Sequence, residues 1–340
     1  MMVLQAKGDK AVTLSFGKIL KPFFRLSADA FPELAAERYG QHEDMDRTWQ
    51  QFEPVARSLV GGFQAALDDC RFEVLVPRLN LVESEFRGIA YEGAGMGLML
   101  LDSLGPWKKR LKAFISGPGA PYDWLLYIGA GLVLPRVPTR PERFLAQLDP
   151  FLRWFVMDGY GFYEGFFHGR RSLEEHVIPS RVSGYGCRAF DHGLGRSIWF
   201  STGANVERIV ATISSFSETR QADLWGGIGL ACAYAAGVVD REAIKALRTA
   251  SGPYSPHIAA GAAVAATFRM QTGGVAVHTD LACEVLCGLS SEMVAHIADL
   301  ARENLPADGA EPAYEIWRQR LAAQFVEWSE TEYQRKEIKS

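Results

Sequence analysis

Two glutamates stand out against their neighbours: Glu92 in Tyr91-Glu92-Gly93, and Glu164 in Tyr163-Glu164-Gly165. Each interrupts an apolar stretch, following a tyrosine and preceding a glycine. A carboxyl group in such company tends to be withdrawn from water, which raises its pKa and suits it to general acid/base work. The plainer reading is a pair of solvated carboxylates on amphipathic helices, or anions at helix N-termini. His168 follows Glu164 by four residues, so in a helix the two share a face and His168 reads as a proton relay. Asp158, just ahead of Gly-Tyr-Gly, completes a candidate catalytic set of Glu92, Glu164, His168 and Asp158. Glu164-x3-His168 with Glu92 also has the composition of a carboxylate–histidine metal site. The familiar di-iron pattern, however, uses Glu-x2-His twice, and no second copy is present. No metal and no cofactor is expected, with iron the one alternative to test.

Asp191-His192-Gly-Leu-Gly195-Arg196 gathers an acid, an imidazole and a guanidinium within six residues. They read either as groove-wall groups that organise a ligand or as a buried Asp191–Arg196 pair locking two helices. Asp223 and Trp225, at the start of the next glycine-rich segment, are placed on the same groove. Tyr91, Tyr127 and Tyr160 crowd the middle third together with Phe162, Tyr163 and Phe167. That density exceeds what a solvent-facing helix bears, and an elongated apolar groove with a few polar groups is the expected result. The cysteines are poor nucleophile candidates: Cys232 sits among small apolar residues, and Cys283-x3-Cys287 has the wrong spacing for a zinc knuckle.

The elements that must hold these residues are announced by glycine. Anchor glycines at 62, 93, 129, 165, 195, 229 and 261 are separated by 31, 36, 36, 30, 34 and 32 residues. A period in the thirties is that of a helical-hairpin repeat. Glycine inside a helix costs about 1 kcal/mol relative to alanine, so a recurring one points to close helix–helix approach. On this phasing Glu92 and Glu164 are equivalent positions. Apolar spacing predicts further helices over Val55–Asp69, Glu142–Met157, Val206–Phe216, Arg241–Ala250, Ser291–Asn304 and Tyr314–Ser329. Arg71–Pro77 is the best strand candidate. The expected fold is all-α, a helical-hairpin repeat array with a period of about 30–36 residues. An N-terminal segment (1–50) flanks the array (51–329), and a polar tail (330–340) follows it.

The 340 residues include 48% hydrophobic and 22% charged, a globular balance far from disorder. Lys+Arg at 36 against Asp+Glu at 40 gives a net charge of −4, which offers no bulk positive field for nucleic acid or anionic lipid. Five cysteines do not make a disulfide framework, so a reducing cytoplasm is the expected location. Charged residues from Lys7 to Arg25 break up any secretory apolar core, and the uncharged runs Leu224–Val239 and Gly252–Phe268 are short for a bilayer span.

From about residue 86 to 325 the chain resembles a bacterial family encoded beside enediyne polyketide synthases, of the UnbL type. The resemblance rests on Arg87-Gly-Ile-Ala-Tyr-Glu-Gly93, Asp158-Gly-Tyr-Gly-Phe-Tyr-Glu-Gly165 and Phe190-Asp-His-Gly-Leu-Gly-Arg-Ser197. Asp223-Leu-Trp-Gly-Gly-Ile-Gly-Leu-Ala231 and Glu311-Pro-Ala-Tyr-Glu-Ile-Trp-Arg318 complete it. The resemblance implies a part in maturing a linear polyene or polyyne from an iterative polyketide synthase into an enediyne core. It brings no established catalytic residues.

The leading expectation is an accessory biosynthetic enzyme acting on a long, rigid, apolar polyketide chain. Glu92 and Glu164 would be its acid/base groups, in an aromatic groove that excludes water. The main rival is a non-catalytic helical-repeat scaffold or polyene chaperone, partnered by the synthase or a membrane protein. A carbocation cyclase is the lesser rival, since neither Asp-Asp-x2-Asp nor Asp-x-Asp-Asp occurs.

Overall fold

The computed structural model describes residues 16–105, 109–235, 240–274 and 276–337, with side chains from residue 17 to residue 326. Residues 1–15 of the N-terminal segment and 338–340 of the tail lie outside them. The described residues are all-helical and contain no strand. The first helices are α1 (Phe16–Leu20), α2 (Ala30–Tyr39), α3 (Glu43–Asp68), α4 (Phe72–Asn80), α5 (Ser84–Leu104) and α6 (Arg110–Ile115). The middle ones are α7 (Asp123–Val133), α8 (Pro141–Leu145), α9 (Trp154–Phe167), α10 (Gly186–Ser201) and α11 (Val206–Ser214). The last are α12 (Glu218–Tyr234), α13 (Arg241–Ser251), α14 (Ser255–Thr272), α15 (Val277–Leu286), α16 (Ser291–Arg302) and α17 (Ala313–Glu337).

Seven of these helices form the core: α3, α5, α7, α9, α10, α12 and α14, each packed against the next. Apolar residues cover α5 on all sides, so every residue from Gly88 to Leu101 is buried. Helices such as α11 and α13 are amphipathic and keep one buried stripe, Ile209 and Ile213 in one, Ile244 and Leu247 in the other. Asn205, Asp240 and Ser290 cap α11, α13 and α16 through their side chains, fixing where each begins.

The core helices meet along glycine seams. A Cβ at Gly93 would overlap the carbonyl of Leu59, one at Gly129 that of Glu92, and one at Gly159 that of Ile128. The same holds for Gly193 on Asp158, Gly227 on His192 and Gly261 on Gly226. A second glycine two residues on faces the following helix: Gly95 meets Leu126, Gly161 meets Phe190 and Gly229 meets Ile258. Any larger residue at these seams would push the backbones apart. Gly165 behaves differently, since its Cβ would meet the side chain of Ser197 rather than a backbone. In α9 the seam glycines are Gly159 and Gly161. The residue that stands before a seam glycine as Glu92 does is therefore Asp158, not Glu164.

The succession curls back on itself. The Tyr234 hydroxyl at the end of α12 lies against Gly88 of α5, and Arg269 of α14 donates to the Glu85 carbonyl. This return brings α5, α9 and α10 around one interior. Helix α17 closes the far side: Trp317 Nε1 donates to the Ala298 carbonyl at 2.9 Å, and its ring centroid lies 5.7 Å from that of Trp124. The helix runs on to Glu337, through most of the expected tail.

Two local expectations are corrected. Arg71–Pro77 is not a strand; Phe72–Asn80 is helical because Leu75 and Leu79, four apart, are both buried on one face. Glu142–Met157 is not one helix. Helix α8 stops at Leu145 and α9 begins at Trp154, with Pro150 between them. There the Asp149 carboxylate accepts from the backbone N–H groups of Phe151 and Leu152, both at 2.9 Å, and this local turn replaces the helix ladder. Among the described residues no single helix is long and apolar enough to cross a membrane.

Candidate functional site

The position just before each seam glycine points into the interior made by the curl. In α5 it is Glu92, in α9 Asp158, in α10 His192 and in α12 Gly226. Arg196, one turn beyond His192, reaches both acids. Its Nη1 donates to Asp158 Oδ1, and its Nη2 lies 3.5 Å from Glu92 Oε1. His192 Nδ1 donates to Asp158 Oδ2 at 2.6 Å. The Asp158 side chain is 1% exposed, Glu92 and His192 are buried with it, and Arg196 is mostly covered.

Two carboxyl groups share one guanidinium here, and the electrostatics divide them. Burial pushes the Glu92 carboxyl up to about 7; Arg196 pulls the other way, and the nearby Asp158 charge adds to the rise. Asp158 is also desolvated, yet Arg196 and His192 outweigh that and hold it below the ordinary carboxylate range. Burial lowers the His192 pKa despite its contact with Asp158. At neutral pH the cluster thus contains an ionised Asp158–Arg196 pair, a neutral imidazole with its proton on Nδ1, and a Glu92 poised to gain or lose a proton. The free edge of His192 faces a small polar cavity lined by Arg188, Gly226, His257 and Arg318.

One helical turn beyond Glu92 and Asp158 lie Met96 and Phe162, and both line a second cavity. This cavity is apolar, about 640 Å³ counted to its open mouth. Leu59, Phe63, Leu132, Val133, Tyr163 and Phe167 add to its wall, with Phe31 and Leu26 from the N-terminal segment. The Arg196 guanidinium carbon sits 5.1 Å from the Phe162 ring centroid, so this ring bridges the charged cluster and the apolar space. Arg25 and Arg136 stand at the mouth.

The remaining residues expected at the site are spread through the molecule. Glu164 and His168 meet as their spacing predicts, His168 Nδ1 lying 3.1 Å from Glu164 Oε2, but they sit at the end of α9 and outside the cluster. Of the aromatics, Phe162, Tyr163 and Phe167 line the apolar cavity, whereas three tyrosines are engaged elsewhere. Tyr91 stacks on Tyr122 with centroids 3.7 Å apart and donates to Asn80 Oδ1 at 3.1 Å. Tyr127 accepts from the Asp149 N–H at 3.4 Å, and Tyr160 packs edge-on against Phe190. The Asp191–Arg196 pair is absent: five residues along a helix separate side chains by about 140°. Asp191 instead takes Arg220, while Arg196 turns inward to Asp158 and Glu92. Asp223 is buried between Arg188 and Arg318, and Trp225 is core.

Sequence reasoning missed Met96, Arg25, Arg136, His257, Arg188, Glu315 and Arg318. Glu315 and Arg318 had a signal, since they are the charged residues in an otherwise apolar Tyr314–Arg318 turn. Arg25 and Arg136 had none, because only folding brings them to one mouth. Among the described residues no three His, Cys, Asp or Glu side chains come together as a metal site would require. Cys232, Cys283 and Cys287 are buried, and burial raises the Cys232 thiol to about 12.

No curated protein and no solved structure matches the chain. Residues 24–325 match the model of a family described as a protein of unknown function, DUF1702, and this span takes in every group of the charged cluster and all but the outermost parts of the fold. The chain belongs to the DUF1702 family.

Proposed function

We propose that this protein binds a long, rigid, apolar chain of the polyketide type and acts on it by acid/base chemistry during maturation of an enediyne-type natural product. The observation that carries the proposal is the apolar cavity whose lining residues Met96 and Phe162 stand one helical turn from the buried Glu92 and Asp158. Its aromatic wall suits a conjugated chain. A carboxyl held near pH 7 is matched to donating and accepting protons at that pH. The frame we infer is a helical-hairpin array with a period of about 30–36 residues, supported by the glycine seams between successive core helices. The link to enediyne maturation rests on the sequence phrases shared with the synthase-associated family. A polyketide synthase is accordingly the source of the chain.

In this reading Glu92 is the group that exchanges a proton with the bound chain, and Arg196 and Asp158 set its ionisation. His192 holds Asp158 in place. Glu164 and His168, further along α9, are not needed for the chemistry.

Native mass spectrometry of the purified protein tests the proposal. A co-purifying polyene-like molecule is expected, and its loss in Met96→Trp, which fills the cavity, is expected with it. Glu92→Gln should retain the molecule while abolishing its conversion in a producing host. A clean protein that takes up no polyene, or an unaltered product from Glu92→Gln, would overturn the reading.

A further inference from the structure

We infer that the chain bound in the apolar cavity ends in an anionic head, and that Arg136 and Arg25 at the mouth receive it. The inference rests on the proposed apolar site and adds the chemistry of the ligand's end. The polar side chains lining the cavity are Arg25, Arg136 and the Tyr163 phenol, and no Asp or Glu is among the described residues that line it. The two arginines come from separate parts of the chain, one following α1 and the other from the short turn Leu134–Arg136 that ends α7.

Their partners set them apart from the other arginines that line a cavity in this protein. Arg188 and Arg318, in the polar cavity, are each bonded to two carboxylates. Among the described residues Arg136 and Arg25 form no ion pair. Arg136 gives one N–H to the Phe23 carbonyl at 3.4 Å and lays its guanidinium carbon 4.7 Å from the Phe24 ring centroid. These contacts hold the plane of the guanidinium at the edge of the cavity and leave its remaining donors unused. A planar fork of donors with no carboxylate of its own, beside an apolar space, suits an oxyanion at the end of an apolar chain. A neutral hydrocarbon would engage neither guanidinium. The shared chemistry is an anionic oxygen head, a carboxylate or a phosphate monoester.

Fluorescence titration with cis-parinaric acid, a conjugated tetraene, against its methyl ester separates the two claims. The acid is expected to bind about tenfold or more tightly than the ester, as one charge-assisted contact supplies. Arg136→Gln should remove that advantage and leave ester binding unchanged. Because Arg136 is exposed and in no ion pair, the variant is expected to fold, with Arg25→Gln as a second probe of the same mouth. Competition with dodecanoate and with hexadecyl phosphate then assigns the head: displacement by the carboxylate alone marks a carboxylic acid, displacement by both an anion site of either kind. Equal binding of acid and ester would overturn the anionic head while leaving the apolar site standing. Binding of neither would bring down the apolar site and this inference with it.

Discussion

Two ionic clusters among the described residues, one around Asp223 and one around Asp158, differ in balance. Around Asp223, two guanidinium groups meet two carboxylates: Arg188 bonds Asp223 at 2.9 Å and Glu315 at 2.5 Å, and Arg318 bonds Asp223 at 2.6 Å. Tyr185 completes it by donating to Glu315 at 2.6 Å. Every charge there has an opposite, and the result ties α17 to α10 and α12. Around Asp158, two carboxyl groups share Arg196 and a neutral His192, so one acid is in surplus. That surplus is expressed in Glu92, whose carboxyl burial lifts to about 7. A balanced buried network acts as a fastener, since removing a partner strands a charge. An unbalanced one stores a titratable proton, and that is what a site for chemistry needs.

The comparison can be broken or sharpened by substitution. The largest effect is expected at Gly193, which seats α10 on α9 and so brings Asp158, His192 and Arg196 together. Gly193→Ala places a methyl on the Asp158 carbonyl and should cost about 4 kcal/mol or more, read by urea denaturation. Gly61→Ala, where a Cβ meets nothing within 4 Å, is the control and should stabilise by up to about 1 kcal/mol.

Asp223→Asn leaves Arg188 and Arg318 to share Glu315 alone, one carboxylate for two guanidinium groups, and should destabilise by about 3 kcal/mol. The same measurement on a variant of the other cluster should give a different pattern. Glu92 has a folded pKa of about 7 against an ordinary 4.5, so the native state holds its proton more firmly than the unfolded chain. Its contribution to stability is full below about pH 4.5 and is lost as pH rises through 7. The loss is about 3 kcal/mol. Glu92→Gln should flatten that slope between pH 5 and 8 and leave stability at pH 5 nearly unchanged. An unaltered slope would show that Glu92 is not the surplus acid.

Much of the fold was legible in the sequence because it is written in short-range patterns. Ile209 and Ile213 or Ile244 and Leu247 declare their helices by spacing, and interior glycines declare close packing. The pattern misled where local chemistry competes: Asp149 and Pro150 interrupt a helix that apolar spacing alone would extend, and the short Arg71–Pro77 stretch, the best strand candidate, is the front of α4. The site was half legible. Glu92, Asp158, His192 and Arg196 were all among the candidate residues, but Glu92 was matched to Glu164 on the wrong glycine of α9, and Arg196 to the wrong aspartate.

What the sequence determined by itself was the all-helical class, the glycine-bearing core helices and the presence of polar groups that could not all reach water. It also determined that Glu164 and His168 meet, because four residues on a helix suffice. What only the tertiary structure decided was which groups share a dielectric. Arg196 meets Asp158, 38 positions away, because α9 and α10 pack as neighbours, and Glu92, 104 positions away, because the core helices bring α5 back to α10 (196 − 158 and 196 − 92). Ionisation depends on distance in space and on excluded water, neither of which a linear order of residues specifies. The same reason explains the cavity mouth, where residues 25 and 136 become neighbours through packing alone.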